Sequence, residues 1–187
     1  MGKKCVIEAR INEYAKRGNK YIPYTIDEIV REAEKVQKAG ATVLHMHART
    51  PDGGADNSVE GNAKLIRKIR ENTDLFIHST LGFITNDDTP ENRIENIRIL
   101  CEDLKCGPDI VPIDIGSCNL EKYDRENGKV TGCDVYLNRT ETIFADGGKV
   151  LFAGCECPIF LLGRDLCAQS RHAHGTGPHQ KKASLCF

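Results

Sequence analysis

The sequence predicts an α/β fold assembled from consecutive βα units with parallel strands. Three observations lead there. Short β-branched or apolar runs alternate with segments whose apolar residues recur at helical spacing. Helix start and stop signals separate the two kinds of segment. Polar residues gather at the C-terminal ends of four successive strands. A doubly wound sheet and a (β/α)8 TIM barrel both have this alternation, and in the barrel function collects at those strand ends.

The first strand is expected over 5–11, where Cys5-Val6-Ile7-Glu8-Ala9-Arg10-Ile11 carries β-branched residues between bounded ends. Pro23-Tyr24-Thr25 then opens a helix. Thr25 is a candidate N-cap with Glu28 three residues on, the capping-box spacing, and Gly40 is a stop. Between them Ile26, Ile29, Val30, Ala33 and Val36 share one face. The second strand is expected over 42–47. A second helix follows over about 57–71 with Ala63, Leu65, Ile66 and Ile69 inward, then a third strand at Leu75-Phe76-Ile77-His78. The third helix is expected from about Pro90 to Leu104 on a stripe of Ile94, Ile97 and Leu100, and the fourth strand at 109–115.

Composition bounds the function. The chain has 187 residues, with 26 basic against 27 acidic side chains and a net charge of -1, so no broad footprint for nucleic acid or an acidic membrane surface is expected. No apolar run approaches the roughly 18–20 residues of a membrane span. The start, Met1 to Ile7, turns polar too soon for a signal peptide. Nine cysteines without such a signal read as reduced thiols, and the expected location is cytoplasmic.

His45-Met46-His47 is the most informative motif. Residues i and i+2 of a strand share a face, so one extended segment can aim both imidazoles at a single ion. The alternative is two histidines that face solvent or bond locally. Ala48 to Gly54 follows at once and is dense in turn formers, which sets the pair at the mouth of the scaffold. Asn12 and Glu13 follow the first strand, Ser79 and Thr80 end the third, and Asp114, Ser117 and Asn119 lie at the fourth. Arg49 is open to two readings, orienting a ligand or making a structural ion pair.

Taken in order, Pro23-x-Thr25, Ala39-Gly40-Ala41, His45-x-His47-x-Arg49-x-Pro51-Asp52-Gly53, His78-Ser79-Thr80-x-Gly82 and Asp114-x-Gly116-Ser117-x-Asn119 resemble the β-keto acid cleavage enzyme family. Its named member is the 3-keto-5-aminohexanoate cleavage enzyme, and Arg10 to Tyr14 resembles one branch of the family. The likeness covers roughly residues 5–143. It implies a metal-dependent (β/α)8 barrel that acts in lysine degradation as an acyltransferase. Such an enzyme joins a β-keto acid to the acyl group of acetyl-CoA and releases acetoacetate and a new CoA ester. It implies His45 and His47 as zinc (or other divalent metal) ligands, Glu13 as a catalytic and substrate-contacting carboxylate, and Ser79, Gly82, Asp114 and Asn119 as substrate-binding positions. It also implies small-molecule substrates and a homo-oligomer.

Two departures are plain. Pro112 stands where the family commonly has a hydroxyl residue. After about residue 144 the family's later βα units, with a third metal ligand and much of the CoA site, have no counterpart. The expected organisation is therefore the first four to five βα units of a barrel over 1–143 and an aberrant, irregular tail over 144–187. His172-x-His174 lies in that tail with no scaffold evident to hold a metal. Reading the codons for His172 to Ala183 one base later permits a Gly-Leu-Ile-Lys turn like the family's. A frameshift between about 144 and 165 with early termination is expected, and with it impaired or absent activity; a genuine extension is the alternative. Two further readings compete: a metal-dependent barrel hydrolase, in which an HxH pair more often ends the first strand, and a non-enzymatic remnant.

Overall fold

The computed structural model describes residues 5–12, 20–80, 95–104, 106–114, 117–139, 159–162 and 184–185. The expected helix start at Pro90 with Ile94, Ile115 at the end of the fourth strand, Glu13, Gly82 and the tail histidines lie outside them.

The first three strands are β1 (Glu8–Arg10), β2 (Val43–Met46) and β3 (Phe76–Ser79); β1 and β2 lie inside the expected 5–11 and 42–47, and β3 is shifted one residue on from the expected 75–78. They pair in parallel in the order β1-β2-β3, with Arg10 opposite His45 and His45 opposite His78. Two helices make the connections: α1 (Ile26–Lys38) between β1 and β2, and α2 (Val59–Asn72) between β2 and β3. This is the βα repeat read from the sequence. β2 is central and all four of its residues are buried, as a parallel strand covered on both faces requires.

The local chemistry of α1 is fully accounted for. Thr25 accepts from the Glu28 amide at 3.2 Å, and the Glu28 carboxylate accepts from the Thr25 amide at 2.9 Å and the Tyr24 amide at 3.0 Å. Those bonds, the Thr25 amide foremost, hold the Glu28 carboxyl below its ordinary value of 4.5. Gly40 ends the turn at φ 102°, a left-handed conformation that favours glycine. Thr25→Ala is expected to lower stability by about 1 kcal/mol. Glu28, depressed in the folded state, adds stability above its unfolded value and loses it as pH falls through the folded one. Urea midpoints of the wild type and Glu28→Gln should therefore differ most near neutral pH and converge in acid.

Ile29, Val30 and Ala33 of α1 and Ala63, Leu65, Ile66 and Ile69 of α2 pack with Leu44, Met46 and Ile77 in one core. The third helical segment adds Ile97 and Leu100 to it. Over 95–98 that segment is α-helical, as expected, but it then widens to a π-helix over Ile99–Asp103, with the Leu104 amide bonded to the Ile99 carbonyl at 3.0 Å. Apolar period alone does not separate an α-turn from a π-turn.

β4 (Val111–Asp114) meets β3 through a parallel bridge of Ile110 to His78. The Asp109 carboxylate secures the junction by accepting from the Ile77 amide at 2.8 Å. An antiparallel hairpin follows, β5 (Cys118–Asp124) and β6 (Lys129–Tyr136), which the sequence reading did not anticipate. Its signal was present in Asn127-Gly128 between alternating residues, and Gly128 has φ 63°. Two short strands in the tail, β7 (Ile159–Leu162) and β8 (Ser184–Leu185), run parallel in the order β4-β7-β8. Among the described residues, free thiols are found at Cys5, which is exposed, and Cys106, which is buried. No helix among the described residues is long and apolar enough to cross a membrane.

Candidate metal centre

Strand alternation sorts β2 into two faces. Leu44 and Met46, both 0% exposed, point into the helix-covered core, and Val43 and His45 point the other way. His47 stands one residue past the strand. Both imidazoles are buried at the same strand end, and their Nε2 atoms are 3.1 Å apart with ring planes at 84°. Zinc–nitrogen bonds are about 2.0–2.1 Å, so two imidazoles on one tetrahedral ion hold their nitrogens about 3.3 Å apart. The 3.1 Å separation is that of a direct hydrogen bond between the two rings, and it lies about 0.2 Å from the spacing that a shared ion requires.

The electrostatics fit as well. Burial pushes the His45 imidazolium down to about 3, helped by His78, His47 and Arg10 around it. His45 is therefore a neutral imidazole at neutral pH, the form that binds metal. Its Nδ1 is buried.

Two residues that sequence reasoning left out of the site stand beside this pair. His78, buried on β3, packs edge-on to His45 with ring centroids 4.7 Å apart. Its Nδ1 lies 2.9 Å from the Glu8 carboxylate, whose other oxygen accepts from Arg10 Nε at 2.9 Å. Candidate ligand atoms of Glu8, His45 and His78 all fall within 4.8 Å of one another, so this trio offers a second donor set that shares His45. The signal for it was a charged residue inside a parallel strand that should read as apolar.

The loop after His47 closes on itself. Arg49 bridges Ala55, and the Gly53 amide bonds the Thr50 carbonyl at 2.8 Å. Arg49 donates to the carbonyls of Asn12 at 2.7 Å and Gly53 at 3.4 Å, and its guanidinium lies 5.7 Å from the Tyr24 ring centroid. These contacts brace the loop.

The other expected site residues are more dispersed. Ser79, buried at the end of β3, is the register partner of Met46. Alternation turns its side chain to the face opposite His78, and its hydroxyl donates to the Thr80 carbonyl at 3.3 Å. Asp114 ends β4, opposite Leu162. Asn119 lies exposed on β5 opposite Val135. Ser117 is bonded through its hydroxyl to the Asn138 backbone, accepting from its amide at 2.9 Å. Glu13 and Gly82 lie outside the described residues.

Residues 4–151 match the family model for the beta-keto acid cleavage enzyme. The chain belongs to that family. Among curated relatives, the 3-keto-5-aminohexanoate cleavage enzyme of Fusobacterium nucleatum is 33% identical over 155 residues, covering 81% of this chain and 50% of the relative. The enzyme of the same name from Acetoanaerobium sticklandii is 30% identical over 163 residues, covering 84% and 53%. The chain thus spans about half the length of the β-keto acid cleavage enzymes it matches. A solved structure of DHDPS from Cyanidioschyzon merolae with lysine bound superposes at a TM-score of 0.48 and 15% identity, over 83% of this chain and 44% of that one. A phosphonomutase structure from Burkholderia cenocepacia gives 0.44 and 17%, over 71% and 49%. Family membership leaves the barrel-hydrolase reading without support.

Proposed function

We propose that this chain carries the metal-binding half of a (β/α)8-barrel β-keto acid cleavage site. The reaction is condensation of a β-keto acid such as 3-keto-5-aminohexanoate with acetyl-CoA, yielding acetoacetate and a new CoA ester. The observation that carries the reading is the buried His45–His47 pair, whose Nε2 atoms lie 3.1 Å apart at the end of β2. His45 and His47 would hold a zinc ion. A divalent ion with open positions supplies a Lewis acid for the adjacent ketone and carboxylate oxygens of such a substrate.

The chain's own residues supply the rest. Burial keeps His45 neutral and ready to ligate. Glu13, which follows Asn12 in the sequence, is assigned to move the proton or to hold the amino group of an amino-keto acid. Ser79, through its hydroxyl or strand-end backbone amides, is assigned to the substrate carboxylate, and Gly82 to a substrate contact, with Asp114 and Asn119 in supporting contacts. Acyltransfer, a role in lysine degradation, a cytoplasmic location and a homo-oligomeric assembly complete the reading.

Incubating the zinc-loaded chain with 3-keto-5-aminohexanoate and acetyl-CoA and measuring acetoacetate is the test. Zinc-dependent acetoacetate supports an enzyme. Stoichiometric zinc with no turnover supports a remnant that only binds metal, and no zinc at all sinks both.

A further inference from the structure

The geometry points to Asn12 as the positioning residue of His47. The backbone ladder between β1 and β2 runs out at Arg10 opposite His45, with a last long bond from the Ile11 amide to the His45 carbonyl at 3.4 Å. His47 lies beyond it. Asn12 takes over there with its side chain. Its Oδ1 accepts from the His47 amide at 2.9 Å, and its Nδ2 donates to the His47 carbonyl at 2.8 Å. The same Nδ2 is 3.4 Å from the Pro23 carbonyl at the approach to α1. Arg49 returns the link by donating to the Asn12 carbonyl at 2.7 Å.

A side-chain amide used in this way replaces a strand neighbour. It fixes the peptide planes on both sides of His47, and so the direction in which its imidazole leaves the backbone. Ligand sites tolerate displacements of only about 0.5 Å or 10–20°. Asn12 is 1% exposed, so these bonds do not compete with water. No other side chain fits the role. Aspartate has no donor, glutamine is one methylene longer, and serine cannot span both groups of His47.

This inference rests on the metal reading of His45 and His47, and the experiment separates the two. Cobalt(II) is titrated into the wild type and into Asn12→Ala, Asn12→Asp, His47→Ala and Thr25→Ala, following the visible ligand-field spectrum and competition with zinc. Thr25→Ala loosens the nearby α1 cap without touching His47, so it controls for instability alone. Asn12→Ala and Asn12→Asp are expected to weaken metal binding by about 10- to 100-fold and to shift the spectrum, while Thr25→Ala changes neither. Asn12 variants that match the wild type in affinity and spectrum overturn the positioning role and leave the metal reading standing. Wild-type affinity in His47→Ala overturns both. Where Asn12→Ala does not fold, Asn12→Asp and the nitrogen-15 signals of the His47 ring in the metal-free chain decide: an unchanged ring environment overturns the proposal.

Discussion

Alanine at both His45 and His47 is expected to abolish stoichiometric zinc binding and, with it, any acetoacetate formation. Structural zinc sites of four ligands are worth about 10–16 kcal/mol, or roughly 2.5–4 kcal/mol per ligand. Losing two imidazoles should therefore weaken binding by more than about a thousandfold. The pair is buried with its Nε2 atoms 3.1 Å apart, and His45 belongs to both candidate donor sets, so the double variant disables each of them. Zinc content after gel filtration and competition with a chromophoric chelator measure the loss. The second donor set gives the experiment a further edge. If His78→Ala and Glu8→Gln remove the metal while His47→Ala does not, the ion sits with Glu8, His45 and His78, and the strand-end assignment of His47 fails.

Leu44→Ala should be the most damaging single change to the fold, at about 2–5 kcal/mol. Leu44 is 0% exposed and packs in the cluster that includes Ile66, Ile69 and Ile77. Truncation removes three carbon atoms from the centre of the core and leaves a cavity that the flanking helices can only partly close. Domains are stable by about 5–15 kcal/mol in total, so the variant should unfold at much lower urea. Its effect reaches the site, because Leu44 immediately precedes His45 on β2. Leu44→Met, which nearly conserves volume, should cost under about 1.5 kcal/mol. Equal urea midpoints for Leu44→Ala and the wild type would show that β2 does not anchor the core.

The parts of this fold legible in the sequence were those governed by neighbours along the chain. The capping box at Thr25 and Glu28, the stop at Gly40 and the inward faces of both helices follow from spacing that covers one or two turns, and the structure has them. The histidine pair belongs to the same class, because residues i and i+2 of a strand share a face whatever the strand pairs with. The β5–β6 hairpin was also a local matter, carried by Asn127-Gly128, and its alternation was overlooked. The π-turn at Ile99–Asp103 was not readable, since it shifts a hydrogen bond by one residue without changing the apolar stripe.

By itself the sequence determined the βα order, the helix ends, the core faces and two imidazoles at one strand end. Those depend on contacts a few residues apart. Only the tertiary structure decided that Arg10, His45 and His78 share a row, that Glu8 reaches His78, and that the Asn12 amide grips the backbone of His47. The contacting pairs of that kind lie 35 and 70 residues apart. They come into being when parallel strands choose a register, and a one-residue slip would turn every one of those side chains to the opposite face.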